Sequence, residues 1–199
     1  MRKIGLLGGT FDPIHIGHIH LAVFIQEIFS LDEVLFCPAS ISPFKSHKPA
    51  LAHHRLNMLK MAIEPISTFQ VLEYEIHQEN PTYTIDTVHF FYEKFGRENM
   101  QLHLILGEDL ISGFANWKEP HLLLELAPPL IGTRKIIREL SLEKLPLEIE
   151  SALEKGKVSI PLLEISSTMI RERIKDKLYT GHLLPQKVSE YIFKHQLYM

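Results

Sequence analysis

Residues 8–18 read Gly-Gly-Thr-Phe-Asp-Pro-Ile-His-Ile-Gly-His, and the two histidines, His15 and His18, are three apart. At the start of a helix that spacing projects both imidazoles the same way. Gly8 and Gly9 carry no Cβ, so the backbone can turn sharply and approach a ligand closely. The apolar run Ile16–Phe29 follows. A helix starting near Gly17 points its unpaired N–H groups and its positive dipole end into the loop. Two imidazole donors beside such a terminus suit a phosphate, and favour one that gains charge in a transition state. Other chemistries fit these residues less well. The P-loop pattern G-x-x-x-x-G-K-[ST] is absent, and Gly5-x-x-Gly8-Gly9 is not the dinucleotide fingerprint. A His-x-x-His pair can ligate zinc, but only Asp12 could add a ligand from this loop, and the single cysteine, Cys37, offers no thiolate cage. No protein-built metal site is expected.

A second cluster, Glu164-Ile165-Ser166-Ser167-Thr168-Met169-Ile170-Arg171, opens a late helix. Ser and Thr there are N-cap residues by chemistry, with Glu172 placed to support the helix start. Arg171, one turn in, can reach back toward an anion at the cap. Gly107-Glu108-Asp109 ends an apolar strand. A carboxylate at that point can accept from ribose hydroxyls or cap the next helix. The one tryptophan lies in the polar stretch Asn116-Trp117-Lys118, open to a core role or to stacking on a ligand ring. Asn80-Pro81-Thr82-Tyr83-Thr84 precedes another helix start, which can receive an anion. Lys45, in the polar stretch 39–50, is either a solvated charge or a phosphate neutraliser.

The elements that would position these loops alternate along the chain. Strands are predicted over Lys3–Leu7, Glu33–Phe36, within Phe69–Ile76, and over Gln101–Leu106, Leu130–Gly132 and Val158–Ile160. Between and after them come helices over Ile16–Phe29, Leu51–Ile63, Thr84–Phe95, His121–Leu126, 139–155, Thr168–Lys175 and Gln186–Leu197, with a short one over Asp109–Phe114. The alternation implies βαβ units and an α/β, doubly wound, Rossmann-like parallel sheet with helices on both faces. One nucleotide-handling domain is expected over residues 1–199, with a C-terminal helical part from about 166. In such sheets ligands bind outside the carboxyl ends of the strands. That places the weight on loops 8–18, 37–50, 78–84, 107–117 and 161–168.

Composition narrows the classes. The 199 residues are 45% hydrophobic and 23% charged, ordinary for a globular chain, and the net charge of −3 gives no general reason to bind nucleic acid. No apolar run reaches membrane-span length and the N-terminal stretch is too short for a secretory signal, so a cytoplasmic protein with no membrane partner is expected. Of the twelve histidines, only His15 and His18 fall into a chemical pattern.

At this point the motifs carry a resemblance. His15-Ile16-Gly17-His18 resembles the HxGH signature of the nucleotidyltransferase superfamily and spells the HIGH motif of class I aminoacyl-tRNA synthetases. A full synthetase is disfavoured by length, charge and the lack of a KMSKS-like segment. The longer pattern G-G-T-F-D-P-x-H-x-G-H and the later I-S-S-T-x-I-R are similar to bacterial nicotinate-nucleotide adenylyltransferases, and the likeness covers essentially the whole chain. It implies adenylyl transfer from ATP to nicotinate mononucleotide, with Mg²⁺ held mainly by the ATP phosphates. His15, His18 and Arg171 would be catalytic. ATP would lie on Gly8, Gly9, Thr10, Phe11, His15, Gly17, His18, Gly107, Asp109, Arg134, Ser166, Ser167, Thr168 and Arg171. The mononucleotide would meet Lys45, Tyr83, Thr84, Trp117 and Lys118, with Trp117 stacked on the pyridine ring. Three segments depart from the family pattern: Ser42 and Phe44 around Lys45, Thr82 before Tyr83, and Thr133-Arg134-Lys135-Ile136 where the family has Pro-Gly. Adenylyltransferases for nicotinamide mononucleotide or phosphopantetheine, and a non-catalytic nucleotide-binding regulator, are the alternatives. Monomer and homo-oligomer are both open.

Overall fold

The computed structural model describes residues 1–40, 49–133, 145–161 and 163–199. Among these residues six strands form one sheet in the order β3-β2-β1-β4-β5-β6. They are β1 (Arg2–Gly9), β2 (Glu33–Pro38), β3 (Phe69–Val71), β4 (Met100–Gly107), β5 (Pro129–Thr133) and β6 (Lys157–Ser159). Every pairing is parallel, with Leu6 opposite both Leu35 and Leu104 at the centre. Strand order therefore reverses between β1 and β4, and a crevice opens beyond their carboxyl ends.

Among the described residues seven α-helices cover the sheet: α1 (Ile16–Phe29), α2 (Ala52–Ile63), α3 (Thr84–Phe95), α4 (Pro120–Leu126), α5 (Leu147–Gly156), α6 (Ser167–Lys175) and α7 (Gln186–Lys194). One apolar cluster joins α1, α2, α6 and α7 to one face, through Ala22, Ile25, Leu59, Ile170 and Val188. A second joins α3, α4 and α5 to the other, through Val88, Phe91, Leu123 and Ile149. The expected C-terminal helices are thus part of the first face's core. No helix among the described residues is long and apolar enough to cross a membrane.

The bounds of α1 and α3 coincide with the expected ones, because an apolar stripe and a clean start and stop agree there. Elsewhere tertiary partners decide. The strand expected within Phe69–Ile76 covers Phe69–Val71, paired with Val34–Phe36 of β2, and Glu75–His77 forms a single 3₁₀ turn. The short helix expected over Asp109–Phe114 is two 3₁₀ turns, Glu108–Leu110 and Phe114–Asn116. Helix α7 stops at Lys194 rather than Leu197, because Gln196 turns left-handed (φ 51°) and Leu197 N–H returns to the Ile192 carbonyl at 3.0 Å. The helix expected over 139–155 begins at Leu147; its first residues, like loop 41–48 and Arg134, lie outside the described residues.

Gly156 closes α5 against β5. A Cβ there would sit 1.8 Å from the Pro129 carbonyl oxygen, a clash with backbone that no rotamer relieves. Gly156→Ala is expected to lower stability by about 3 kcal/mol, read from urea unfolding.

Candidate active site

The turn out of β1 is built on Phe11, which takes a left-handed conformation (φ 49°) and sends its ring into the core. That ring meets Phe36 at 5.8 Å and the edge of His18 at 5.1 Å between centroids. Only the backbone of Phe11 can therefore face a ligand. Gly8 is exposed, with open space where a Cβ would point, while Thr10 is buried. His15 is the N-cap of α1, with extended backbone, and its N–H donates to His18 Nδ1 at 3.3 Å. The two rings stack at 3.7 Å. Gly17 makes this possible: a Cβ there would be 3.1 Å from the His15 ring.

The electrostatics of the pair follow from this geometry. His15 is 4% exposed, and burial lowers its pKa to about 4. Near neutral pH it is an uncharged donor, and its Nδ1 is the one buried side-chain polar atom among the described residues with no hydrogen-bond partner. In His18 the Nδ1 lone pair is committed to the His15 N–H, so a neutral ring carries its proton on Nε2. His15 thus stands beside the helix start as an uncharged ring near neutral pH.

The second cluster closes on the first. Ser166 is the N-cap of α6 and accepts from Met169 N–H at 3.1 Å. Ser167 Oγ donates to the Pro13 carbonyl at 2.9 Å. Arg171 donates to the Asp12 carbonyl at 2.8 Å and to Thr168 Oγ1 at 3.1 Å. The N-termini of α1 and α6 are therefore bound to the same short loop. Only two of the five guanidinium N–H groups are spent on these bonds.

Asp12 is the junction. Its side chain is buried, and Oδ1 accepts from Ala50 N–H at 3.1 Å and from the Tyr198 hydroxyl at 2.8 Å. Arg171 Nη1 lies 3.7 Å from Oδ2. Beside it Arg55, 1% exposed, donates to the carbonyls of Thr10, Ala39, Ser40 and Ala50 at 2.6–3.0 Å. One guanidinium thus ties the ends of β1 and β2 to the segment entering α2. The sequence reading passed over Arg55 and Tyr198. A signal existed for Arg55, which falls in the apolar register of α2 with Met58, Leu59 and Ala62.

The remaining candidates lie at the ends of β4 and α3. Asp109 is exposed just past β4, and its carboxylate folds back over Gly107, where a Cβ would lie 2.5 Å from Oδ1. Trp117 is half-buried against Phe114, ring centroids 5.1 Å apart. Lys118 donates to Asp86 Oδ1 at 2.9 Å and sits 4.9 Å over the exposed Tyr83 ring, which joins the tryptophan loop to the start of α3. Asp86 Oδ2 also accepts Tyr83 N–H at 3.2 Å. Thr84 opens α3, where the first N–H groups have no partner within the helix. Behind this loop, the buried Thr87 donates to the half-buried Glu75 at 2.6 Å, and desolvation raises the pKa of both Glu75 and Cys37. Lys45 and Arg134 lie outside the described residues. His20 meets the Pro161 carbonyl, and His53, His54 and His195 pack together near Tyr191, away from the loop.

Two outcomes test this geometry. Arg55→Met leaves four carbonyls, one buried and three half-buried, without their shared guanidinium and is expected to cost about 3 kcal/mol in urea unfolding. The second concerns His15, whose folded pKa is about 4 against 6.5 for an unperturbed histidine. The unfolded chain therefore binds the extra proton as pH falls below about 6.5, and stability is lost down to about pH 4, by about 3 kcal/mol at most. His15→Asn, which keeps a capping side chain, should flatten that slope in unfolding measured across the same window.

Comparison with known proteins agrees with this geometry. Residues 6–173 match the Cytidylyltransferase-like family. The chain is 36% identical over 199 residues to the nicotinate-nucleotide adenylyltransferase of Bacillus subtilis, covering 100% of this chain and 99% of that one. It is 37% identical over 201 residues to a Clostridium perfringens protein named "Probable nicotinate-nucleotide adenylyltransferase", covering 100% and 98%. Among solved structures, Plasmodium falciparum nicotinic acid mononucleotide adenylyltransferase complexed with NaAD superposes with a TM-score of 0.75 at 25% identity, covering 100% of this chain and 98% of that one. With both signature loops bound together at the switch point of the sheet, the chain belongs to the nicotinate-nucleotide adenylyltransferase family of Cytidylyltransferase-like nucleotidyltransferases.

Proposed function

We propose that this chain transfers the adenylyl group of MgATP to nicotinate mononucleotide, giving nicotinate adenine dinucleotide and pyrophosphate, as a cytoplasmic enzyme. The observation that carries the reading is the bond pair from α6 to the first loop, Ser167 to Pro13 and Arg171 to Asp12. It converges two helix N-termini and two imidazoles on one place, which fits a triphosphate. A phosphate oxygen of the mononucleotide attacks the α-phosphorus. A P–O bond forms there as the bond to the bridging oxygen breaks, and pyrophosphate leaves with that electron pair. The attacking monoester has a second pKa of about 6, so it is largely dianionic near neutrality and needs no general base. The protein's work is alignment and stabilisation of developing phosphate charge.

In this reading His15 and His18 donate N–H groups to the phosphates, and Arg171 adds the fixed positive charge. Mg²⁺ arrives with ATP and is held chiefly by phosphate oxygens and water. The chemistry of the available groups supports that: among the described residues no three His, Cys, Asp or Glu side chains are grouped to hold an ion, and the Asp12 carboxylate is already engaged. In the same reading Asp109 accepts from a ribose of the nucleotide. The start of α3 at Thr84, with Lys118 and Trp117 beside it, receives the pyridine carboxylate and ring. A carboxylate gains from helix N–H groups what a neutral carboxamide does not.

Incubation with MgATP and each mononucleotide, with product masses measured, is expected to give the dinucleotide with equimolar pyrophosphate, and fastest from nicotinate mononucleotide. Faster turnover of nicotinamide mononucleotide would overturn the substrate assignment, and no dinucleotide from any mononucleotide would overturn the activity. His18→Ala should lower kcat by at least about 10² while the chain still folds. Near-normal pyrophosphate release from that variant would exclude the role given to His18.

A further inference from the structure

Tyr198 lies outside the two signature loops, four residues beyond the end of α7, yet it reaches the first loop. Two left-handed residues, Gln196 (φ 51°) and Tyr198 itself (φ 66°), turn the chain back over the helix end. Non-glycine residues pay for that conformation, so it persists where the surrounding contacts fix it. Here the contact is the hydroxyl bond to Asp12 Oδ1 at 2.8 Å, with Leu197 and Tyr198 packed on the apolar cluster below. Burial and the Asp12 charge push the tyrosine pKa up, which keeps the hydroxyl a donor at every working pH.

Asp12 lies between Phe11 and Pro13, three residues before His15, and its own carbonyl is held by Arg171. Whatever fixes its carboxylate fixes the path of the loop into α1. Helix α7 is anchored separately: the Tyr191 hydroxyl accepts from Asn57 Nδ2 at 3.1 Å and lies 2.9 Å from His54 Nδ1. The hydroxyl of Tyr198 is therefore dispensable for docking α7 but faces the loop directly. We propose that Tyr198 is a positioning residue for adenylyl transfer, its hydroxyl holding Asp12 so that the loop carrying His15 and His18 is set for the ATP phosphates. The inference rests on the proposed activity and deepens it.

The test compares the intact wild type with Tyr198→Phe, which removes only the hydroxyl, and with Tyr191→Phe, which loosens α7 away from the loop. Tyr198→Phe is expected to lower kcat about tenfold, with KM for nicotinate mononucleotide unchanged. MgATP affinity by calorimetry should weaken about fivefold, a reading that stands whether or not the wild type turns over this mononucleotide. Tyr191→Phe should lower the melting temperature and leave kcat at the wild-type value. In an Asp12→Ala background, which removes the acceptor itself, adding Tyr198→Phe should change kcat by less than about twofold, since both changes break one contact. Wild-type kcat and MgATP affinity in Tyr198→Phe would overturn the proposal. So would an equal kcat loss in Tyr191→Phe, or full additivity with Asp12→Ala. A wild type that makes no dinucleotide while Tyr198→Phe still weakens MgATP would instead fail the activity and leave Tyr198 a positioner of the triphosphate loop.

Discussion

The buried carboxylate of Asp12 can exist only if the rest of the chain surrounds it with donors. Burying a charge without partners costs far more than a domain's net stability can absorb. Its donors come from the segment before α2 (Ala50), from α6 (Arg171) and from beyond α7 (Tyr198). Arg55 does the complementary job for carbonyls, taking those of Thr10, Ala39, Ser40 and Ala50. The loop between β1 and α1 is therefore shaped by four distant segments at once. Its geometry is a consequence of the completed fold, and the two histidines inherit it.

That dependence explains what sequence reading could and could not reach. Local signals located the elements: apolar periodicity and clean termini fixed α1 and α3, and the alternation of strands with helices gave the parallel sheet. The two signature loops were legible as phosphate-binding because glycines, histidines and a capped helix start are local features. The links between them were not. Ser167 to Pro13, Arg171 to Asp12 and Tyr198 to Asp12 join residues more than 150 positions apart, and no local pattern encodes such a pairing. Phe11 shows the same limit. Its left-handed backbone, which turns the ring into the core beside Phe36, is not visible in the motif.

The pattern at the helix starts is one of division of labour. Ser166, Ser167 and Thr168 spend their hydroxyls on the cap of α6, on the first loop and on Arg171. The cap that a bland reading of Ser-Ser-Thr predicts is real, and it is also what brings the α6 N-terminus to the first loop. Structural and functional accounts of these residues are one account, since the same bonds that satisfy a helix end also aim its N–H groups.

The choice of histidine over lysine or arginine at positions 15 and 18 then has a physical reason. A permanently charged side chain at His15 would face both desolvation and the positive end of α1, two penalties of the same sign. A neutral imidazole avoids both and still donates. Burial already drives His15 to that neutral state, and the bond from its own N–H sets the tautomer of His18. Fixed neutral donors contribute most where phosphate charge grows between ground and transition state, whereas a fixed cation also tightens the ground state. Positive charge is supplied from the second loop by Arg171, whose guanidinium is held by the Asp12 carbonyl and Thr168. Charge and directionality thus come from opposite sides of the proposed phosphate site, joined through the residue that Tyr198 holds in place.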